Sequence, residues 1–75
     1  MRLVWVAERE FSGRIVQIYA LCPRHAAEML RRRRGPDPAH PTFYERISRR
    51  EADRHLRRLG YGGAYAEGCD FCAIE

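Results

Sequence analysis

Seventy-five residues carry a formal charge of +4, with fourteen arginines and no lysine. A chain this short has room for one small core, and such cores are commonly reinforced by disulfides, a structural metal or a partner subunit. Its 45% hydrophobic content excludes a wholly disordered chain, and no apolar run approaches the roughly 20 residues that a membrane-spanning helix needs. The apolar stretch in MRLVWVAERE is too short for a signal peptide and lacks a small-residue cleavage site. A cytoplasmic protein with no membrane partner is therefore expected.

Residues 2–8, RLVWVAE, are rich in β-branched and aromatic side chains and read as a strand. Residues 14–21, RIVQIYAL, read likewise, with Ile18 and Ala20 on one face and Gln17, Tyr19 and Leu21 on the other. Ser12-Gly13 between them is a turn signal, so the two form an antiparallel hairpin. Pro23 suits the first turn of a helix. The helix runs over about 24–33, with Ala26, Met29, Leu30 and Arg33 at helical spacing on one face, and Gly35-Pro36 ends it.

Three of the four prolines fall in GPDPAHPTFY, which reads as an irregular connector at about 35–45 pinned to the core by Phe43 and Tyr44. A second helix follows in SRREADRHLRRLG. Ser48 and Glu51 form a capping box, Ala52, His55, Leu56 and Leu59 line one face, and Gly60 stands at the C-cap position. The Gly-rich end, GGAYAEGCDFCAIE, is tightly turned, with short strands at 64–67 and 73–75. The expected fold is α+β: one small domain over 1–75 in which an N-terminal β-hairpin packs with two short helices and a C-terminal zinc knuckle.

Three cysteines fit poorly with a closed disulfide set, and the cytosol would keep them reduced. Zinc takes four tetrahedral ligands from thiolate and imidazole. Cys22-x2-His25 and Cys69-x2-Cys72 use every cysteine in the chain, one pair at a strand end running into a helix and the other in a tight turn. The positive end of the helix favours a thiolate at Cys22, and Gly68 frees the backbone entering the second pair. One structural zinc on Cys22, His25, Cys69 and Cys72 is expected. Two alternatives are buried thiols beside a surface histidine, and a redox dithiol at Cys69 and Cys72. His40 is the substitute ligand should Cys22 not bind, and His55 reads as a core-edge histidine. A closed four-ligand site leaves no position for substrate, and no nucleophile–base pair, carboxylate pair or phosphate loop is present. The chain is expected not to be an enzyme.

CPRH followed by a helix, paired with a distant CDFC, resembles the small zinc-finger domains of the zinc-ribbon and treble-clef type. The resemblance covers the four ligand positions and their surroundings, and it implies one structural zinc shared by a knuckle and a helix start, held by Cys22, His25, Cys69 and Cys72. Two features depart from that pattern: Ala73 stands where a knuckle often has glycine, and the knuckle follows the helix.

Residues 31–58 hold ten arginines against Asp37, Glu45, Glu51 and Asp53, a local balance of +6, while the remainder balances at −2. GC-rich codon usage explains arginine over lysine but not this segregation. Arg31, Arg32, Arg33 and Arg34 together with Arg49, Arg50, Arg54, Arg57 and Arg58 form a candidate nucleic-acid surface contacting phosphates, with Tyr44, Tyr61 or Tyr65 stacking on exposed bases. The alternatives are a solvated helix face, a protein-interaction module or small regulator anchored by Trp5, Phe11 or Tyr19 on an uncovered hairpin face, and a homodimer through an open sheet edge.

Overall fold

The computed structural model describes residues 2–64 and 66–72. Strands β1 (Val4–Glu10) and β2 (Ile15–Leu21) are followed by helix α1 (Pro23–Arg32), strand β3 (Thr42–Ile47) and helix α2 (Arg49–Arg58). The three strands form one antiparallel sheet in the order β2-β1-β3, so that β1 is central. The fold is thus α+β, a three-stranded sheet with two helices. The turn between β1 and β2 is closed by Gly13 N–H donating to Glu10 O, and Gly13 takes a φ of 98° that strongly favours glycine.

Both faces of the sheet are covered. Trp5, Ala7, Ala20 and Ile47 pack with Ala52 and Leu56 of α2. Val6, Leu21 and Tyr44 pack with Ala26, Met29 and Leu30 of α1. Because successive strand residues point to opposite faces, the near-continuous apolar run of β1 is what a strand between two layers requires. The alternative of a protein contact on an uncovered hairpin face loses most of its anchor: Trp5 is buried and Tyr19 half-buried, leaving only Phe11 of the three residues strongly exposed.

A difference from the expected layout concerns the Pro-rich segment. Thr42–Ile47 is not part of an irregular connector but the third strand. TFYERI combines β-branched and aromatic residues with a sheet edge to pair against, and pairing with β1 outweighs the proline-rich approach. The outer side of β3 is itself engaged by the chain leaving α1, with Tyr44 N–H donating to Arg33 O and Gly35 N–H to Thr42 O. Helix α1 ends at Arg32, before the expected Gly35-Pro36 stop. Arg33 takes φ 64° and ψ −38°, and Arg34 N–H donates to Arg32 O across it at 2.7 Å. This three-residue γ-turn is strained for a residue other than glycine.

Helix α2 begins at the expected cap, where Ser48 Oγ accepts the Glu51 N–H at 3.0 Å. The Glu51 carboxylate does not complete a reciprocal box but accepts from Arg9. The helix ends in a Schellman motif, with Gly60 N–H donating to Arg57 O and Tyr61 N–H to Leu56 O, and Gly60 at φ 90°. Leu59, expected on the buried face, is 58% exposed. No strand includes Ala64, Ala66 or Glu67. Tyr65 and the segment 73–75, including Ala73, lie outside the described residues.

Candidate metal centre

Cys22 ends the run of chain from β2 and is the N-cap of α1, with Pro23 as the first helical residue. One helical turn brings His25 back over it, and the Cys22 Sγ to His25 Nδ1 distance is 3.2 Å. The C-terminal turn supplies the rest, with Cys69 Sγ 3.3 Å and Cys72 Sγ 3.5 Å from the same nitrogen. Cys72 and Cys22 sulfurs lie 3.8 Å apart, far beyond the ~2.05 Å of a disulfide, and all three cysteines are free. The four donor atoms all fall within 4.8 Å of one another. His25 and Cys69 are buried, Cys22 is half-buried and Cys72 is exposed. The Cys3His cluster could hold a single metal ion.

Asp70 fixes this convergence, and sequence reasoning missed it. Its carboxylate accepts the Ala20 N–H at 2.8 Å, and its own N–H donates to Ala20 O at 2.8 Å. The turn carrying Cys69 and Cys72 is thereby hydrogen-bonded to the end of β2, two residues before Cys22. An acid inside a C-x2-C turn is the one signal that could have found it, but its partner amide stands 50 residues away and no local pattern names it.

The electrostatics suit a shared cation. The His25 backbone N–H holds the Cys22 thiol below its ordinary range. Burial pushes Cys69 up, but the backbone N–H groups of Cys22, Cys72 and Phe71 outweigh it and bring its pKa down to about 6. Cys72 is pushed up to about 11, first by its hydrogen bond to Cys69 and then by burial and Cys22. A proton shared among close thiolates in this way is what a bound cation displaces.

Neither competing histidine joins the cluster. His40 is exposed and pairs with Asp37 at 3.3 Å, while His55 is half-buried on α2, which covers the other face of the sheet. The nine candidate arginines are all exposed, but they do not share one side. Arg31 and Arg32 close the helix on one face of the sheet, whereas the α2 arginines lie on the helix that covers the other. Within α2, Arg57 bonds Asp53 at 2.7 Å and Arg49 reaches Ala64 O. Arg50, Arg54 and Arg58 make no ion pair among the described residues, and their spacing of four sets them in one row along the helix. No protein-family model, curated protein or solved structure matches the chain.

Proposed function

We propose that this chain is a small zinc-stapled, non-catalytic protein that binds nucleic acid through its arginines. The convergence of four donors carries the zinc reading. Zinc–sulfur bonds near 2.3 Å and zinc–nitrogen bonds near 2.0–2.1 Å at tetrahedral angles set S···S edges of about 3.8 Å and S···N edges of about 3.6 Å. The Cys22 and Cys72 sulfurs are 3.8 Å apart, the three sulfur–nitrogen separations are 3.2–3.5 Å, and all four donors lie within 4.8 Å of one another. A thiolate-rich donor set favours zinc over magnesium, calcium or manganese. A redox dithiol needs only Cys69 and Cys72 and gives no reason for Cys22 and His25 to meet them. Four protein donors leave no open position, so the ion is structural and stabilises the α1 layer.

The row of Arg50, Arg54 and Arg58 supports the nucleic-acid reading, because exposed guanidinium groups without carboxylate partners suit phosphate contacts. Fluorescence anisotropy with labelled single-stranded and duplex oligonucleotides tests it. Affinity should fall steeply with salt, and Arg54→Glu with Arg58→Glu should weaken binding at least about tenfold while the fold persists; unchanged binding would sink the idea.

A second reading has one observation in its favour. Leu59 and Tyr61 stand 58% and 73% exposed together at the end of α2, which suits an aromatic-anchored protein contact that salt weakens little.

A further inference from the structure

On the face of the sheet covered by α1, Tyr19, Met29, Arg32, Arg34, Tyr44 and Phe71 line a cavity of about 530 Å³ that is open to solvent on one side. This lies within the size range of small-ligand sites, which are mostly apolar with a few convergent polar groups. Its walls are ordered by one another. The Tyr19 ring meets Tyr44 edge-on at 6.3 Å and Phe71 at 5.7 Å, and the Tyr19 hydroxyl is tied down by donating to Glu8 at 3.0 Å. At the mouth, Arg32 and Arg34 are exposed and make no ion pair among the described residues. They flank Arg33, whose γ-turn replaces a further turn of helix. Strain of that kind persists where the surroundings demand it, often beside a binding site.

We propose that this cavity is a nucleotide site. It takes an unstacked base against its aromatic walls and the attached phosphate on Arg32 and Arg34, with the Glu28 carboxylate, which also lines it, accepting from a sugar hydroxyl or base amino group. Aromatic walls alone would accept any apolar group, and guanidinium groups alone any anion. A nucleotide is a ligand class that carries a planar ring and an anion on one frame, and both contact types recur in single-strand recognition. The choice of ligand rests on the nucleic-acid reading above. The site also depends on the metal centre, because Phe71 sits between Cys69 and Cys72 and its ring meets His25 at 5.9 Å.

The test is a titration of ¹⁵N-labelled, zinc-loaded protein with adenosine monophosphate and, separately, with oligoadenylate. Shifts at Tyr19, Met29, Arg32, Arg34 and Tyr44 are expected with both, with the oligomer the tighter if a single strand is the source and the mononucleotide its equal if free nucleotide is. Tyr44→Leu and, as a surface change that spares the core, Arg34→Gln should each weaken binding about tenfold with the metal content unchanged. An oligomer that binds but moves only α2 resonances would overturn the cavity site and leave nucleic-acid binding standing. Mononucleotide binding in the cavity with no affinity for the oligomer would do the reverse. Silence with both ligands, or full affinity in both variants, overturns the site.

Discussion

Replacing Cys72 by serine separates metal ligation from packing, because the side chain is exposed. A surface substitution away from special features changes stability by no more than about 0.5 kcal/mol. Under the proposed zinc reading, the same side chain is one of four ligands and carries much more. Structural zinc contributes about 10–16 kcal/mol in finger peptides, or roughly 2.5–4 kcal/mol per ligand if shared evenly. Domains of this size have a total stability of only about 4–11 kcal/mol. In a 60–100-residue domain each kcal/mol moves the midpoint by about 4–8 °C, so Cys72→Ser should lower it by about 10–30 °C. Thermal denaturation followed by circular dichroism, with equimolar zinc and again with chelator, measures this. His40→Ala, which removes only a surface pair with Asp37, is the matched control and should shift the midpoint by no more than about 4 °C. A Cys72→Ser melt that coincides with wild type in zinc would refute the assignment of this thiol.

Asp70→Ala removes a charged acceptor from the Ala20 N–H and should cost about 1.5–3 kcal/mol, with a weaker hold on zinc in a chelator competition; unchanged zinc affinity would show that the turn positions itself. Arg33→Gly relieves the γ-turn and should raise the melting midpoint by about 4 °C, whereas a fall would mean the backbone there is not strained. A Cβ at Gly35 would collide with Thr42 Oγ1 and stand 3.1 Å from Glu8 Oε2, so Gly35→Ala should destabilise by about 1–3 kcal/mol in denaturant titration. Asp53 accepts from the Ala64 N–H and from Arg57, and these hold its carboxyl below the ordinary range. Its contribution is therefore present above the unfolded value of about 4 and is lost as the pH falls through the lower folded value. Asp53→Asn should lower stability at neutral pH and converge with wild type in acid, and a gap that persists in acid would contradict the pKa shift.

Much of the architecture was legible because local signals and tertiary packing agree. Ser48 caps α2 through its hydroxyl, Gly60 ends it because the missing Cβ permits a φ of 90°, and the two x2-spaced pairs meet at one point. The third strand was hidden because TFYERI is short and follows three prolines in six residues, while the partner that stabilises it, β1, is remote in sequence. The same remoteness hid the second layer. Alternation in β2 allowed one covered face or two, and only the placement of α1 and α2 on opposite sides decides. The basic residues were countable, yet their division between two faces and the pairing of Arg57 with Asp53 depend on the fold. The cavity beside the metal centre joins β2, α1, β3 and the C-terminal turn, and no local pattern announces such a meeting.

The most direct measurement is native mass spectrometry of the purified protein before and after chelation, read beside a thermal melt of each sample. One zinc per chain, removed by chelator together with the cooperative transition, is the result expected from the Cys22, His25, Cys69 and Cys72 cluster. A metal-free chain with three free thiols and an undiminished cooperative melt would contradict it.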